Sequence, residues 1–112
     1  MKSVKTGDGC WALSKHGNKT IRHRAIYINL DDNGFKIALI TTEPNGWPVL
    51  FSINPSSEVA SLLKIRTRSF VTLGYVDFMN LGGPFFDVPP RFVNDIQKAI
   101  KKQHLRLQGY SC

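Results

Sequence analysis

An apolar run from Lys36 to Ile40 ends in two adjacent hydroxyls, Thr41 and Thr42, and Glu43-Pro44-Asn45-Gly46-Trp47-Pro48 follows at once. Two prolines and an Asn-Gly step stop a strand there, so the hydroxyls stand at a strand end, facing solvent or a ligand. Such hydroxyls can donate to phosphate oxygens. Thr also favours strands for its branched packing, so one of the pair can face the core through its methyl. Arg24 is the second candidate: a guanidinium pairs with two phosphate oxygens at once, or serves as one more surface cation. His16 and His23 carry the side-chain type whose unperturbed pKa suits proton transfer near neutrality. A solvated loop histidine is the plain alternative for His16, and strand alternation should send His23 and Arg24 to opposite faces.

A second cationic group follows in Lys64, Arg66 and Arg68. If that segment is extended, all three project to one side and form a stripe that can follow a phosphate backbone. A charged edge strand that resists aggregation has the same pattern. Trp47 can stack on a base or pack at the rim of its turn.

The whole chain carries fifteen Lys and Arg against eight Asp and Glu, a formal net charge of +7 that points to a polyanionic partner or to a basic solubilising surface. The excess is sharpest before residue 25, where Lys2, Lys5, Lys15, Lys19, Arg22 and Arg24 are opposed only by Asp8.

The elements that must position these side chains read as one continuous domain over residues 1–112, without repeats or a linker. Gly9 to Leu13 suits an opening strand, followed by a polar loop from Ser14 to Lys19. Arg22 to Leu30 alternates as a strand and meets Asp31-Asp32-Asn33-Gly34, a hairpin signal, from which Phe35 to Thr42 returns. Trp47 to Ile53 reads as a third antiparallel partner across the turn after Thr42. Ser56 to Leu63 fits a helical turn or a strand excursion. Ser69 to Phe78 is a further strand, with Gly74 as a bulge or point of close approach. Arg91 to Gln103 places Phe92, Val93, Ile96, Ala99 and Ile100 at helical spacing after Pro89-Pro90, which predicts an amphipathic helix packed on a small barrel, with His104 beyond it.

In that order the chain resembles the MazF/PemK family of toxin ribonucleases, over roughly Thr6 to Gln103. Gly7-Asp8 through Trp11 is similar to the family's opening Gly-acidic-aromatic strand, and His23-Arg24-Ala25-Ile26-Tyr27-Ile28 to its Arg-Pro-apolar strand. Thr41-Thr42 through Gly46-Trp47-Pro48 is similar to its hydroxyl pair and Gly-aromatic-Pro turn, and Ser69-Phe70-Val71 fits the strand that carries later site residues. Two positions depart: Ala25 stands where the family has Pro, and Gly74 about where many members carry an acidic residue followed by Gln.

The resemblance implies a mainly β (α+β) fold, a small SH3-like barrel of antiparallel strands with a C-terminal α-helix. It further implies a metal-independent endoribonuclease that cuts single-stranded RNA, needs no cofactor, pairs as a homodimer and is held by a cognate acidic antitoxin. Arg24 would then be the catalytic arginine and Thr41 or Thr42 a transition-state stabiliser, with His16 a proton carrier in a loop over the groove. Lys15, Lys19, Arg22, Trp47, Lys64, Arg66, Arg68 and Ser69 would bind RNA. Gly74 and Ala25 favour the alternative of a nuclease-dead binding module on the same barrel; a protein adaptor with an acidic partner is a third reading.

Phosphate-loop, dinucleotide, metal-ligand and nucleophile-elbow patterns do not occur. The two cysteines, Cys10 and Cys112, do not make a disulfide framework, and no window holds the apolar run of a signal peptide or membrane span, so a reducing cytoplasm is the expected compartment.

Overall fold

The computed structural model describes residues 5–16, 19–44, 46–76 and 81–110; for residues 14–16, 19, 20, 31, 84 and 104–110 the description is of backbone alone. Six strands and two helices follow in the order β1 (Gly9–His16), β2 (Lys19–Asp31), β3 (Gly34–Thr41), β4 (Val49–Ile53), α1 (Glu58–Leu62), β5 (Ser69–Val76), β6 (Leu81–Phe86) and α2 (Pro90–Tyr110). The strands form one antiparallel sheet in the order β4-β5-β3-β2-β1-β6. With the C-terminal helix packed on it, this is a small, mainly β, barrel-like α+β fold, as expected.

Period-two alternation sends neighbours on the central strands into different apolar clusters. Ile26, Ala38, Ile40 and Val71 pack with Ala60, Leu63, Phe92 and Ile96 of the helical layer, and Phe51 meets Phe92 edge-on at 5.9 Å. Cys10, Ala12, Ala25 and Ile37 form a second cluster with Tyr27, Trp47 and Leu81 packed around it. Register shifts between Tyr27 and Asn29, between Gly9 and Trp11, and between Val49 and Phe51 bend the sheet, because a bulge adds twist where one strand carries an extra residue.

The Asp-Asn-Gly hairpin forms where its residues require it: Asp31 pairs with Gly34, whose φ of 117° a side chain would resist. Ser57 caps α1, its Oγ accepting from Ala60 N at 3.3 Å, which decides the segment after Pro55 as helix.

Three expectations change, and one strand is new. The polar stretch after Leu13 is a continuation of the β1–β2 hairpin, with Lys15 opposite Thr20 and His16 opposite Lys19, because neither strand meets a breaker before Gly17-Asn18. β4 does not pair across its turn with β3; β5 inserts between them, pairing with β3 from Phe35↔Val76 to Thr41↔Phe70 and with β4 on its other edge. The new strand is β6, and its position at the sheet edge beside β1 tolerates Gly82, Gly83 and Pro84. His104 lies inside α2, which runs on to Tyr110. Among the described residues no helix is long and apolar enough to cross a membrane.

Candidate nucleic-acid interface

β2 is longer than the strand beside it. Its register with β3 ends at Ala25↔Leu39, whereas its pairing with β1 continues to His16↔Lys19. The hairpin therefore projects past the end of β3 and leaves a cleft of about 240 Å³. Arg22, His23 and Arg24 line it from β2, Ile40, Thr41 and Thr42 from the end of β3, Lys64, Ile65, Arg66 and Thr67 from the link after α1, and Ser69 from β5. Four of these side chains are cations and none is an acid, so the cleft concentrates positive field where low-dielectric walls screen it least.

The two arginines are held by an aromatic platform. Trp11 is the register partner of Arg24 across β1 and β2. The Arg24 guanidinium lies 5.4 Å and that of Arg22 4.9 Å from the Trp11 ring centre, and Arg22 Nη2 also donates to the Gly83 carbonyl at 3.0 Å. Stacking on the indole restricts both side chains without using the whole of either donor fork.

The hydroxyl pair divides its work. Thr41 is buried, and its Oγ1 donates to the Glu43 carbonyl at 3.0 Å while accepting from Glu43 N at 3.2 Å, so it fixes the turn that closes the cleft. Thr42 is exposed at the rim. Ser69 is buried and donates to the Thr67 carbonyl at 3.0 Å.

The link carrying Lys64, Arg66 and Arg68 is a bend and not an extended stripe. Lys64 adopts a left-handed conformation at φ 58° just past α1. Its N–H bonds the Ser61 carbonyl at 3.3 Å and Ile65 N bonds that of Ala60 at 2.8 Å, the paired closure of a helix C-terminus that usually employs glycine. Ile65 is buried as the anchor. The bend turns Lys64 and Arg66 into the cleft and leaves exposed Arg68 outside its lining.

His23 and Arg24 both line the cleft, contrary to strict alternation, because the space opens along the strand edge that β3 has left. Trp47 is elsewhere: it lies over Gly74, where an added Cβ would collide with the indole, and lines a separate groove of about 490 Å³ with Lys36, Tyr75 and Ile100. The side chains of Lys15, His16 and Lys19 lie outside the described residues, on the hairpin arm that continues from Arg22.

Sequence reasoning missed Trp11 as the platform for the arginines. The signal was present in the hairpin: with His16 opposite Lys19, residues whose numbers sum to 35 face each other, which sets Trp11 opposite Arg24.

No protein-family model, curated protein or solved structure matches the chain.

Proposed function

We propose that this chain is an endoribonuclease of the MazF/PemK type, binding single-stranded RNA in the cationic cleft and cutting it by internal transesterification. The observation that supports this reading best is the convergence of Arg22, Arg24, Lys64 and Arg66 with Thr42 around one cleft, from three separate stretches of chain. Four cations over so small a volume suit a phosphodiester, and among the described residues no acid lines the cleft to repel it.

The chemistry forms a bond from the ribose O2′ to the adjacent phosphorus and breaks the bond from phosphorus to O5′. The O2′ proton leaves to a base and the departing O5′ takes one up, giving a 2′,3′-cyclic phosphate and a 5′-hydroxyl. Arg24, with Arg22 beside it, neutralises charge that grows on the non-bridging oxygens, and the Thr42 hydroxyl adds a donor. His23 lines the same cleft and has the side chain suited to carry one of the protons; His16 is the second candidate. In this reading the chain is a toxin that works as a homodimer, and a cognate acidic antitoxin neutralises it by covering the basic cleft.

One observation favours binding without cleavage. Gly74 stands about where many members of the family carry an acidic residue, and the Trp47 indole fills the space its side chain would need. Incubation of the purified protein with a long single-stranded RNA in EDTA, with Arg24→Ala in parallel and the new ends mapped, separates the two. Discrete cuts with cyclic phosphate ends that vanish in the variant support the nuclease; intact RNA bound by folded protein supports the binding module.

A further inference from the structure

The Trp11 indole is only half-buried. It meets the guanidiniums of Arg22 and Arg24, and that of Arg22 reaches across to the Gly83 carbonyl of β6. Its register partner on β6 is Gly82, and among the described residues an atom added at the Cβ position of Gly82 would meet nothing within 4 Å. Phe86 touches the ring edge-on, with centroids 5.8 Å apart and planes at 66°. A half-buried aromatic side chain thus stands beside a slot over Gly82 that the described residues leave open.

The slot and the phosphate cleft share their walls. Arg22 and Arg24 line the cleft and also stack on Trp11, and the Gly83 carbonyl next to the slot holds Arg22 in place. A phosphate bound between the arginines would carry its own nucleoside within one side-chain length of the indole. The glycine opposite admits a flat ring that any larger residue at that position would displace.

Resting on the proposed RNA-binding role of the cleft, we infer that the slot beside Trp11 over Gly82 is a nucleobase site, in which one unpaired base stacks on the indole while its phosphate is held by Arg22 and Arg24. Such stacking tolerates any base, because every base has a π-face, and requires that base to be unpaired. The slot therefore adds a preference for single strands that four cations alone would not give.

The chain has two tryptophans, so Trp47→Phe leaves Trp11 as the sole indole reporter, with the cleft residues untouched. The probes are a 2′-O-methyl oligouridylate, which cannot undergo the transesterification, and inorganic polyphosphate of equal charge. Expected are quenching of Trp11 emission by the oligouridylate alone, binding about tenfold tighter than polyphosphate, and loss of both differences in Gly82→Leu with polyphosphate binding unchanged. Gly82→Ala, which adds one methyl to open space, serves if the leucine variant does not fold. Equal affinity for the two probes without quenching overturns the base site and leaves the cleft as an anion site. Failure of the reporter protein to bind either probe at low salt overturns the RNA-binding reading, and the base site with it.

Discussion

Trp11 and Arg24 are register partners across β1 and β2, and the guanidinium lies 5.4 Å from the centre of the indole ring. A cation that would otherwise sample many rotamers is held at the mouth of the cleft by a neighbour that makes no demand on its outer hydrogen-bond donors. Arginine suits this position better than lysine, since its planar group stacks and still presents a fork to phosphate.

Arg24→Lys should therefore divide binding from chemistry. The charge stays, so RNA affinity at fixed salt should fall less than about threefold, while single-turnover cleavage should fall on the order of 100-fold for want of the fork. Unfolding in urea should move by less than about 1 kcal/mol, because a partly exposed stacked cation contributes little to stability. Equal losses in affinity and rate would show that Arg24 acts only as a charge.

Lys64 occupies a left-handed position that glycine fills with less strain. Lys64→Gly should leave stability unchanged or raise it by up to about 1 kcal/mol, even as it removes a cation from the cleft. With four phosphate contacts, the logarithm of RNA affinity should fall with the logarithm of salt at a slope of about −3, and the variant should shift that slope by about 0.7. An unchanged slope would remove Lys64 from the interface; a large loss of stability would contradict the strained conformation.

Trp47 and Gly74 form a matched pair, the indole lying where a side chain at 74 would project. Gly74→Ala should cost about 1–3 kcal/mol by overpacking, and in the Trp47→Ala background the same change should cost much less, a coupling visible in a double-mutant cycle. RNA affinity of the folded variants should hold, since neither residue lines the cationic cleft. Strict additivity would mean that the two residues do not meet.

Local signals carried five of the six strands and the start of α2 into view, because Asp32-Asn33-Gly34 closes a hairpin and Pro89-Pro90 opens a helix by their own backbone preferences. What remained hidden was long-range. Nothing in Val49 to Ile53 or Ser69 to Val76 states that β5 enters between β3 and β4, yet that insertion brings Lys64 and Arg66 to the end of β3. Leu81 to Phe86 stayed unread because glycine and proline weaken any strand signal, and an edge strand held by one neighbour tolerates them. Arg24, Thr42, Lys64 and Arg66 could be named one by one as cations and hydroxyls; their convergence on one cleft depends on strand order, which alternation does not encode.

Cys10 sits fully buried beside Ala12, Ala25 and Ile37. Burial, reinforced by the Asp8 carboxylate, pushes its thiol up from 9.0 to about 11. The folded protein thus keeps a proton that the unfolded chain releases first. The associated stability is complete below about pH 9 and is lost as pH rises toward about 11, amounting to on the order of 2 kcal/mol across that window. Urea unfolding of the native protein and of Cys10→Ala at pH 7 and pH 10.5 measures it. The variant should be less stable at pH 7 by about 1–2 kcal/mol for the lost packing, and the gap should narrow at pH 10.5, since alanine has no thiol to ionise. The native thiol should also resist alkylating reagents until the protein unfolds, because the thiolate is the reacting form and burial disfavours it. A gap that stays constant with pH, or rapid alkylation of Cys10 in folded protein at pH 8, would contradict a thiol held neutral by its surroundings.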